Sequence, residues 1–461
     1  MSGRKLMEKI RLLIDFGSTF TKVVAVDLDK EAIMATARVP STVESDITVG
    51  LGEAFRKIEK NTGIGDLEER EALACSSAGG GLRMVCAGFV PELTSKAANL
   101  AALGAGAKVV GYYSYKLTRQ EVEEIEAAVP DIVLLSGGTD GGDEKVIIHN
   151  AEMLSRTGNN ITNIIIAGNK TTYDDIRNIF RGNNKNVIYT SNVMPEIGRL
   201  DVAPSNREIR ELFMKNIIEA KGIARVKAII KDVIMPTPSA VLEAARLLAD
   251  GCEGDKGFGA LIVIDVGGAT TDVHSIAEGK PARPDTIVTG LPEPYEKRTV
   301  EGDLGLKYNL DRLLELCQDK ETPPGFETIV RDFHDGKLPH TEEEFACHHL
   351  LSCLTVEAAV SRHAGRIEVV YSPTGERLVQ YGKDLTSVKT VIGTGGPIIF
   401  SRDPGEILEH ARLREDNPFI LKPKQPVFYI DEQYILYAVG LLSQTEPKKA
   451  LSLARKYLKR I

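Results

Sequence analysis

Two spacings of apolar residues alternate along this chain. From about Glu71 to Tyr189, short and nearly unbroken apolar runs (ALACSSA, LRMVCAGF, AKVVGYY, DIVLLSGG, NIIIAGN, NVIYTS) are separated by stretches such as TRQEVEEIEAAV and TTYDDIRNIF, which carry helical spacing. Strand signals alternating with helix signals predict a parallel, doubly wound sheet. Ahead of this region, Leu12 to Asp27 reads as a strand, a tight turn at Gly17-Ser18-Thr19, and a second strand. Behind it, residues 205–233 carry a helical pattern. MPTPSAVLEAARLLADG (235–251) then places prolines before a helix and a glycine after it. ALIVIDV, the turn Gly267-Gly268-Ala269-Thr270 and TTDVHSI predict another strand–turn–strand. EEEFACHHLLSCLTVEAAVSRHAG reads as one amphipathic helix, KTVIGTGG as a late strand, and 431–461 as a closing helix pair.

One pattern occurs twice. LLIDFGSTFTKVVAV and IVIDVGGATTDVHSI each have an apolar strand ending in Ile-Asp, one residue, a glycine, small hydroxylated residues, and a β-branched strand. The physics favours a phosphate clamp. Glycine lets the backbone turn tightly and approach a ligand. Successive N–H groups in such a turn form a concavity for anionic oxygens. Ser18, Thr19, Thr270 and Thr271 add hydroxyl donors, and Asp15 and Asp265 stand at the strand ends. Carboxylates there cannot hold phosphate directly, but they can hold the water shell of Mg²⁺.

Composition narrows the class. At ~150 residues per domain the length allows roughly three domain-sized units. A net charge of −8 argues against a nucleic-acid backbone as the main partner. No apolar run is long enough for a membrane span. Met1 to Arg11 is too charged for a signal peptide, so a cytoplasmic protein is expected. The six cysteines are scattered and no CxxC occurs, which fits neither a disulfide framework nor an iron–sulfur cluster. Cys347, His348, His349 and Cys353 are close in sequence, but on one amphipathic helix the cysteines read as core residues. Two such ligands without a partner pair make a poor zinc site.

On these residues the chain resembles the actin, sugar-kinase and heat-shock-chaperone superfamily. IDFGSTFTK resembles its first phosphate motif, with Lys22 where actin has a phosphate-binding lysine. IDVGGATTDV resembles the second, with Asp272 as its further acid. VIGTGGPI, with Gly393, Gly395 and Gly396, resembles the adenosine motif. The helices 239–251 and 434–443 are similar to the two connecting helices. Gly302 and Gly305, in the turn before KYNLDRLLEL, are either nucleotide contacts or a plain helix start. The resemblance implies an α/β, actin-like ATPase fold of two ribonuclease-H-like domains around a nucleotide cleft, with a Rossmann-like insertion in the first half. The divisions expected are 10–70 for the start of the first half, 71–204 for the insertion, 205–258 for the rest of the first half, 259–430 for the second half, and 431–461 for helices returning to the first. It also implies ATP/ADP and Mg as ligands. Asp15, Asp265 and Asp272 would be the catalytic acids, with Asp15 and Asp265 holding Mg through water. Gly17, Ser18, Thr19, Lys22, Gly267, Gly268, Thr270 and Thr271 would hold phosphate.

There is one departure from the superfamily. Where its members place a Gln or Glu to orient the attacking water, this chain has Met235 or Ser239. Slow hydrolysis is expected, or a water placed by another group such as Asp272.

A closer resemblance rests on LSGGTDGG (135–142), IIIAGNK (164–170), TVEGDLG (299–305), RHAG (362–365) and VIGTGGP (391–397). These strings are similar to the accessory proteins of glutamate mutase (methylaspartate mutase), the MutL/GlmL family. That resemblance implies a chaperone-like ATPase. Its partner would be an adenosylcobalamin-dependent mutase or aminomutase, from which it helps expel damaged cofactor. The chain lacks the Asp-x-His-x-x-Gly string of cobalamin-binding domains. Two competing classes remain: a small-molecule kinase of the same fold, and an actin-like structural or membrane-associated ATPase. The second is prompted by KKALSLARKYLKRI, where Leu451, Ala454, Leu458 and Ile461 line one face. The Gly137–Gly142 loop is a ligand loop or a tight turn. Arg362 and His363 contact nucleotide or serve structure.

Overall fold

A computed structural model describes residues 10–17, 19–42, 46–77, 82–219, 232–318, 320–335, 337–373 and 375–461. The chain forms two compact units, Met1–Ala240 with Gly290–Pro292, and Val241–Thr289 with Glu293–Ile461.

In the first unit, β1 (Ile10–Phe16), β2 (Phe20–Asp27), β3 (Ala32–Pro40), β4 (Glu71–Ser76) and β10 (Asp232–Pro236) form one sheet in the order β10-β4-β1-β2-β3. β1–β2 and β2–β3 are antiparallel, whereas β1–β4 and β4–β10 are parallel. β1 lies at the centre and is apolar on both faces, as a doubly covered strand must be. The helix Ile47–Thr62 packs on β2 and β3 through Ile47, Leu51, Ala54, Phe55 and Ile58, a helical stripe. Asp46 accepts from the Thr48 N–H at its start, and Gly63, at φ 71°, ends it.

Between β4 and β10 lies a second, all-parallel sheet: β5 (Arg83–Gly88), β6 (Lys108–Ser114), β7 (Ile132–Leu135), β8 (Asn163–Ile166) and β9 (Asn186–Tyr189), ordered β6-β5-β7-β8-β9. The runs IVLL and NIII are buried because helices cover this sheet. β4 pairs with β1, so the strand expected to open the insertion belongs to the first sheet instead. An apolar run alone does not say which parallel neighbour it takes. The helical reading of 205–233 holds over Ala203–Glu219, while Asp232 and Val233 start β10. Residues 220–231 lie outside the described residues.

In the second unit, β13 (Leu261–Val266), β14 (Thr271–Ile276), β16 (Glu296–Glu301), β19 (Thr390–Thr394), β20 (Val427–Ile430) and β21 (Lys459–Arg460) form the sheet β16-β14-β13-β19-β20-β21. β13–β14 and β14–β16 are antiparallel, and β13–β19 and β19–β20 parallel. Leaving out the short β21, both main sheets have the same order and the same directions. Each unit therefore carries the ribonuclease-H-like sheet expected of an actin-like ATPase. β11 (Gly251–Cys252) and β12 (Asp255–Lys256) form a small hairpin, and β15 (Ile287–Thr289), β17 (Arg366–Ser372) and β18 (Gly375–Tyr381) a three-stranded sheet. The helix Glu342–His363 packs on β13 and β14, and starts at a capping box of Thr341 and Glu344. The closing helices, Leu436–Ser443 and Pro447–Tyr457, belong to this second unit and not to the first. The reason is local: β21 pairs with β20, and the Ile461 N–H donates to the Phe428 carbonyl.

Candidate phosphate-binding hairpins

The two repeated motifs are hairpins of one geometry. The Gly17 N–H donates to the Phe20 carbonyl at 3.0 Å, and the Gly267 N–H to the Thr270 carbonyl at 3.0 Å. Asp15 lies opposite Lys22, and Asp265 opposite Asp272.

In the second hairpin, neighbours capture the turn's carbonyls. The Leu306 N–H donates to Gly267 (3.1 Å), Lys307 and Tyr308 N–H to Gly268 (2.8 and 3.2 Å), and the Asn309 amide to Ala269 (2.9 Å). A trans peptide points its N–H opposite its C=O. The N–H groups of Gly268, Ala269 and Thr270 therefore face away from that segment, as an anion cradle requires. In the first hairpin the Ser41 hydroxyl donates to the Gly17 carbonyl (2.8 Å) and its N–H to the Thr19 carbonyl (2.9 Å). The same logic turns the Phe20 N–H outward. Thr19 is exposed, and Ser18 lies outside the described residues.

Asp15 is 1% exposed and gripped from three elements. Lys22 Nζ donates to one oxygen at 3.1 Å, and Thr237 Oγ1 donates to the other at 2.6 Å. The Cys75 thiol lies 3.6 Å from the latter. Burial, reinforced by the Asp15 charge, pushes that thiol well above its ordinary value, so it stays neutral. An ionised carboxylate has about four acceptor sites, so Asp15 keeps capacity for a metal-bound water. Asp265 is half-buried at the end of β13, paired in register with Thr394. Asp272 is held differently. Arg298 donates to one of its oxygens through two nitrogens, at 2.6 and 2.8 Å, and the Thr270 hydroxyl lies 3.3 Å from the other.

Several expected contacts have internal partners. The buried Thr271 hydroxyl donates to the Leu304 carbonyl at 2.7 Å, so it supports the turn rather than offering a donor to phosphate. A Cβ on Gly305 would sit 2.2 Å from the Ala269 carbonyl carbon; this glycine exists to let the 302–309 segment lie against the hairpin. Gly302 has nothing within 4 Å of its would-be Cβ. Gly393 packs against Ile398 and Leu408, at 2.9 Å from a would-be Cβ. Gly395, at φ 92°, lies against the Val266 backbone and the Asp265 carboxylate, so the turn after β19 meets the end of β13 there. Gly396 starts the short helix Gly396–Ile399.

Comparison of the whole chain with known proteins gives its family. A family model described as MutL protein matches residues 11–458. Protein MutL of Clostridium tetanomorphum is 46% identical over 462 residues, spanning 98% of this chain and 99% of that protein. The chain belongs to the MutL protein family. Three solved structures align with this family member at low similarity. Gluconate kinase from Lactobacillus acidophilus has 11% identity over 98% of this chain and 93% of that one, with a TM-score of 0.35. Xylulose kinase from Bifidobacterium adolescentis has 13% identity over 98% and 94%, with a TM-score of 0.31. A glycerol dehydratase reactivase has 10% identity over 94% and 99%, with a TM-score of 0.31.

The remaining candidates resolve locally. Met235 is buried in β10, and the buried Ser239 hydroxyl donates to the Ala105 carbonyl at 2.9 Å. Arg362 forms a bidentate pair with Asp303 (2.6 and 2.8 Å) and reaches Glu301 at 2.7 Å. His363 is fully buried between the Thr299 and Ser275 hydroxyls, at 2.9 and 2.8 Å. Burial, then the Lys297 charge, holds it neutral, well below the ordinary histidine value. His349 lies 3.6 Å from Cys353 and 3.0 Å from Glu406, but no group of three or more His, Cys, Asp or Glu among the described residues is arranged to hold a metal. The Gly137–Gly142 loop is a tight turn: the Asn169 amide bonds Gly141, Gly142 and Asp143, and Asn192 bonds Gly138 and Asp140. In the C-terminal helix, Ala450, Leu451, Leu453 and Ala454 are buried, so its apolar face is already covered. Among the described residues no helix is long and apolar enough to cross a membrane.

Sequence reading missed Thr237, Ser41, Arg298 and Asp431. Asp431 accepts from the Ile435 and Leu436 N–H groups (2.8 and 3.0 Å) and from the Thr394 hydroxyl (3.2 Å), joining the helix Leu436–Ser443 to the adenosine motif. Asp431 stands five residues ahead of the helix, outside the cap position at Ile435, so the usual capping signal does not mark it. Ser41 and Arg298 act across the sheet and leave no local trace.

Proposed function

We propose that this chain binds and slowly hydrolyses Mg·ATP, and uses it to reactivate an adenosylcobalamin-dependent mutase, glutamate mutase or an aminomutase, by promoting release of damaged cofactor. The observation that carries the nucleotide part is the second hairpin, whose captured carbonyls turn three consecutive N–H groups to one side. The first hairpin repeats its register and places a lysine where the second has Asp272. Strand-end carboxylates are the hard oxygen donors that a hydrated Mg²⁺ takes, and Asp15 and Asp265 fit that role. When bound, the metal neutralises charge on the phosphates. Asp15, with Lys22 beside it, would hold metal-bound water, and Asp265 at the end of β13 is the same kind of donor. Gly395 and Gly396 would face the adenosine, and Gly302 would be a further nucleotide contact. The mutase part rests on membership of the MutL family and on the resemblance carried by the strings above. Scattered thiols suit a cytoplasmic setting.

The test starts from a mutase inactivated by damaged cobalamin. It receives this protein with ATP, with ADP, or with a non-hydrolysable analogue, and exchange of damaged for fresh cofactor is followed. Exchange should require this protein and depend on the nucleotide. Exchange that proceeds equally without it, or is indifferent to nucleotide, would overturn the reactivation reading.

A further inference from the structure

We propose that Thr237 orients the attacking water in ATP hydrolysis, filling the place where Met235 and Ser239 offer nothing. This rests on the ATPase reading above. The strand ends locate the residue. Phe16 pairs with Ser76, and Ser76 with Pro236, so β1, β4 and β10 end level with one another. Thr237 follows directly, at the carboxyl edge where open α/β sheets bind ligands, and opens the helix Thr237–Asp250. Its hydroxyl lies 2.6 Å from Asp15 Oδ1, while Lys22 holds Oδ2 at 3.1 Å.

The chemistry follows from counting protons. An ionised carboxylate only accepts, so the threonine's single hydroxyl proton points at Asp15. The oxygen of Thr237 keeps its two lone pairs, with the Cys75 thiol beside it, and Thr237 is only half-buried, so one lone pair can accept from a water. Lys22 and β1 hold the carboxylate still, which fixes the hydroxyl in turn. A water donating to Thr237 has its own lone pair free for phosphorus. In hydrolysis the water oxygen bonds to the γ-phosphorus as the bond to the β–γ bridging oxygen breaks. That electron pair stays on ADP. The water's proton passes to solvent while the Thr237–Asp15 hydrogen bond keeps the hydroxyl in place. The products are ADP, inorganic phosphate and one proton.

The experiment uses the full chain with Thr237→Val, Thr237→Ser and Thr237→Ala, reading Mg·ATP turnover and, separately, Mg·ATP affinity by calorimetry. Loss of a positioned proton acceptor should lower kcat on the order of 10²-fold. Val and Ala should both show that loss with Mg·ATP affinity and melting temperature kept, and Ser should restore turnover. Wild-type turnover that survives in Val and Ala overturns the role of Thr237 and leaves the ATPase reading standing. A fall in affinity matching the fall in turnover, or no rescue by Ser, overturns it in favour of a structural role. A wild-type chain that neither binds nor turns over Mg·ATP overturns the ATPase reading, and this inference with it.

Discussion

Gly302 and Gly305 stand three residues apart in one turn, yet their surroundings assign them different work. A side chain at 305 must displace the Ala269 backbone, whereas one at 302 meets open space. Gly305→Ala should therefore cost ~1–3 kcal/mol, the usual range for forcing atoms into a packed site, and should weaken nucleotide binding because the hairpin moves. Gly302→Ala should stay within ~0.5 kcal/mol of wild type, so any effect it has on Mg·ATP affinity reports direct contact. Melting curves and a nucleotide titration on both variants check this. Equal stability of the two would contradict the packing described for Gly305.

Buried His274 and His363 and half-buried His348 give the second-unit helix Glu342–His363 and its neighbour β14 a pH signature. His348 is lowered to about 4 by burial and then by His349, and His274 to about 3 by burial and then Arg298; His363 is lowered too. In the unfolded chain each takes up a proton near pH 6.5. Below that value the unfolded state binds more protons, so stability present above pH 6.5 is lost as pH falls towards the folded values. Each histidine contributes on the order of 1 kcal/mol per pH unit in that window. The melting temperature should fall from pH 7 to pH 5. A flat profile would mean that these side chains are not buried neutral.

The same elements show what a sequence makes legible. Both hairpins are readable because glycine, the strand-end acid and the β-branched flank are local requirements of a turn at a strand end. The doubly wound insertion is readable because strand and helix periods alternate. The partner of β4 is not, because a run buried on both faces carries no period that names its neighbour. The start of β10 hides behind a helical stretch. Thr237 escapes notice because flanking prolines mark a helix start, and nothing local reveals a carboxylate more than two hundred residues earlier.

At the scale of the whole molecule, one sheet order appears in each unit, and each copy places an acid at a strand end before a glycine turn. The account's central claim is that Mg·ATP binding and turnover depend on each of the two hairpins. Calorimetric titration of the full chain with Mg·ATP tests it most directly, on wild type and on Asp15→Asn and Asp265→Asn, which keep side-chain volume and remove the charge. The account predicts a loss of affinity or of turnover from either substitution alone. Wild-type binding and turnover in both variants would contradict it.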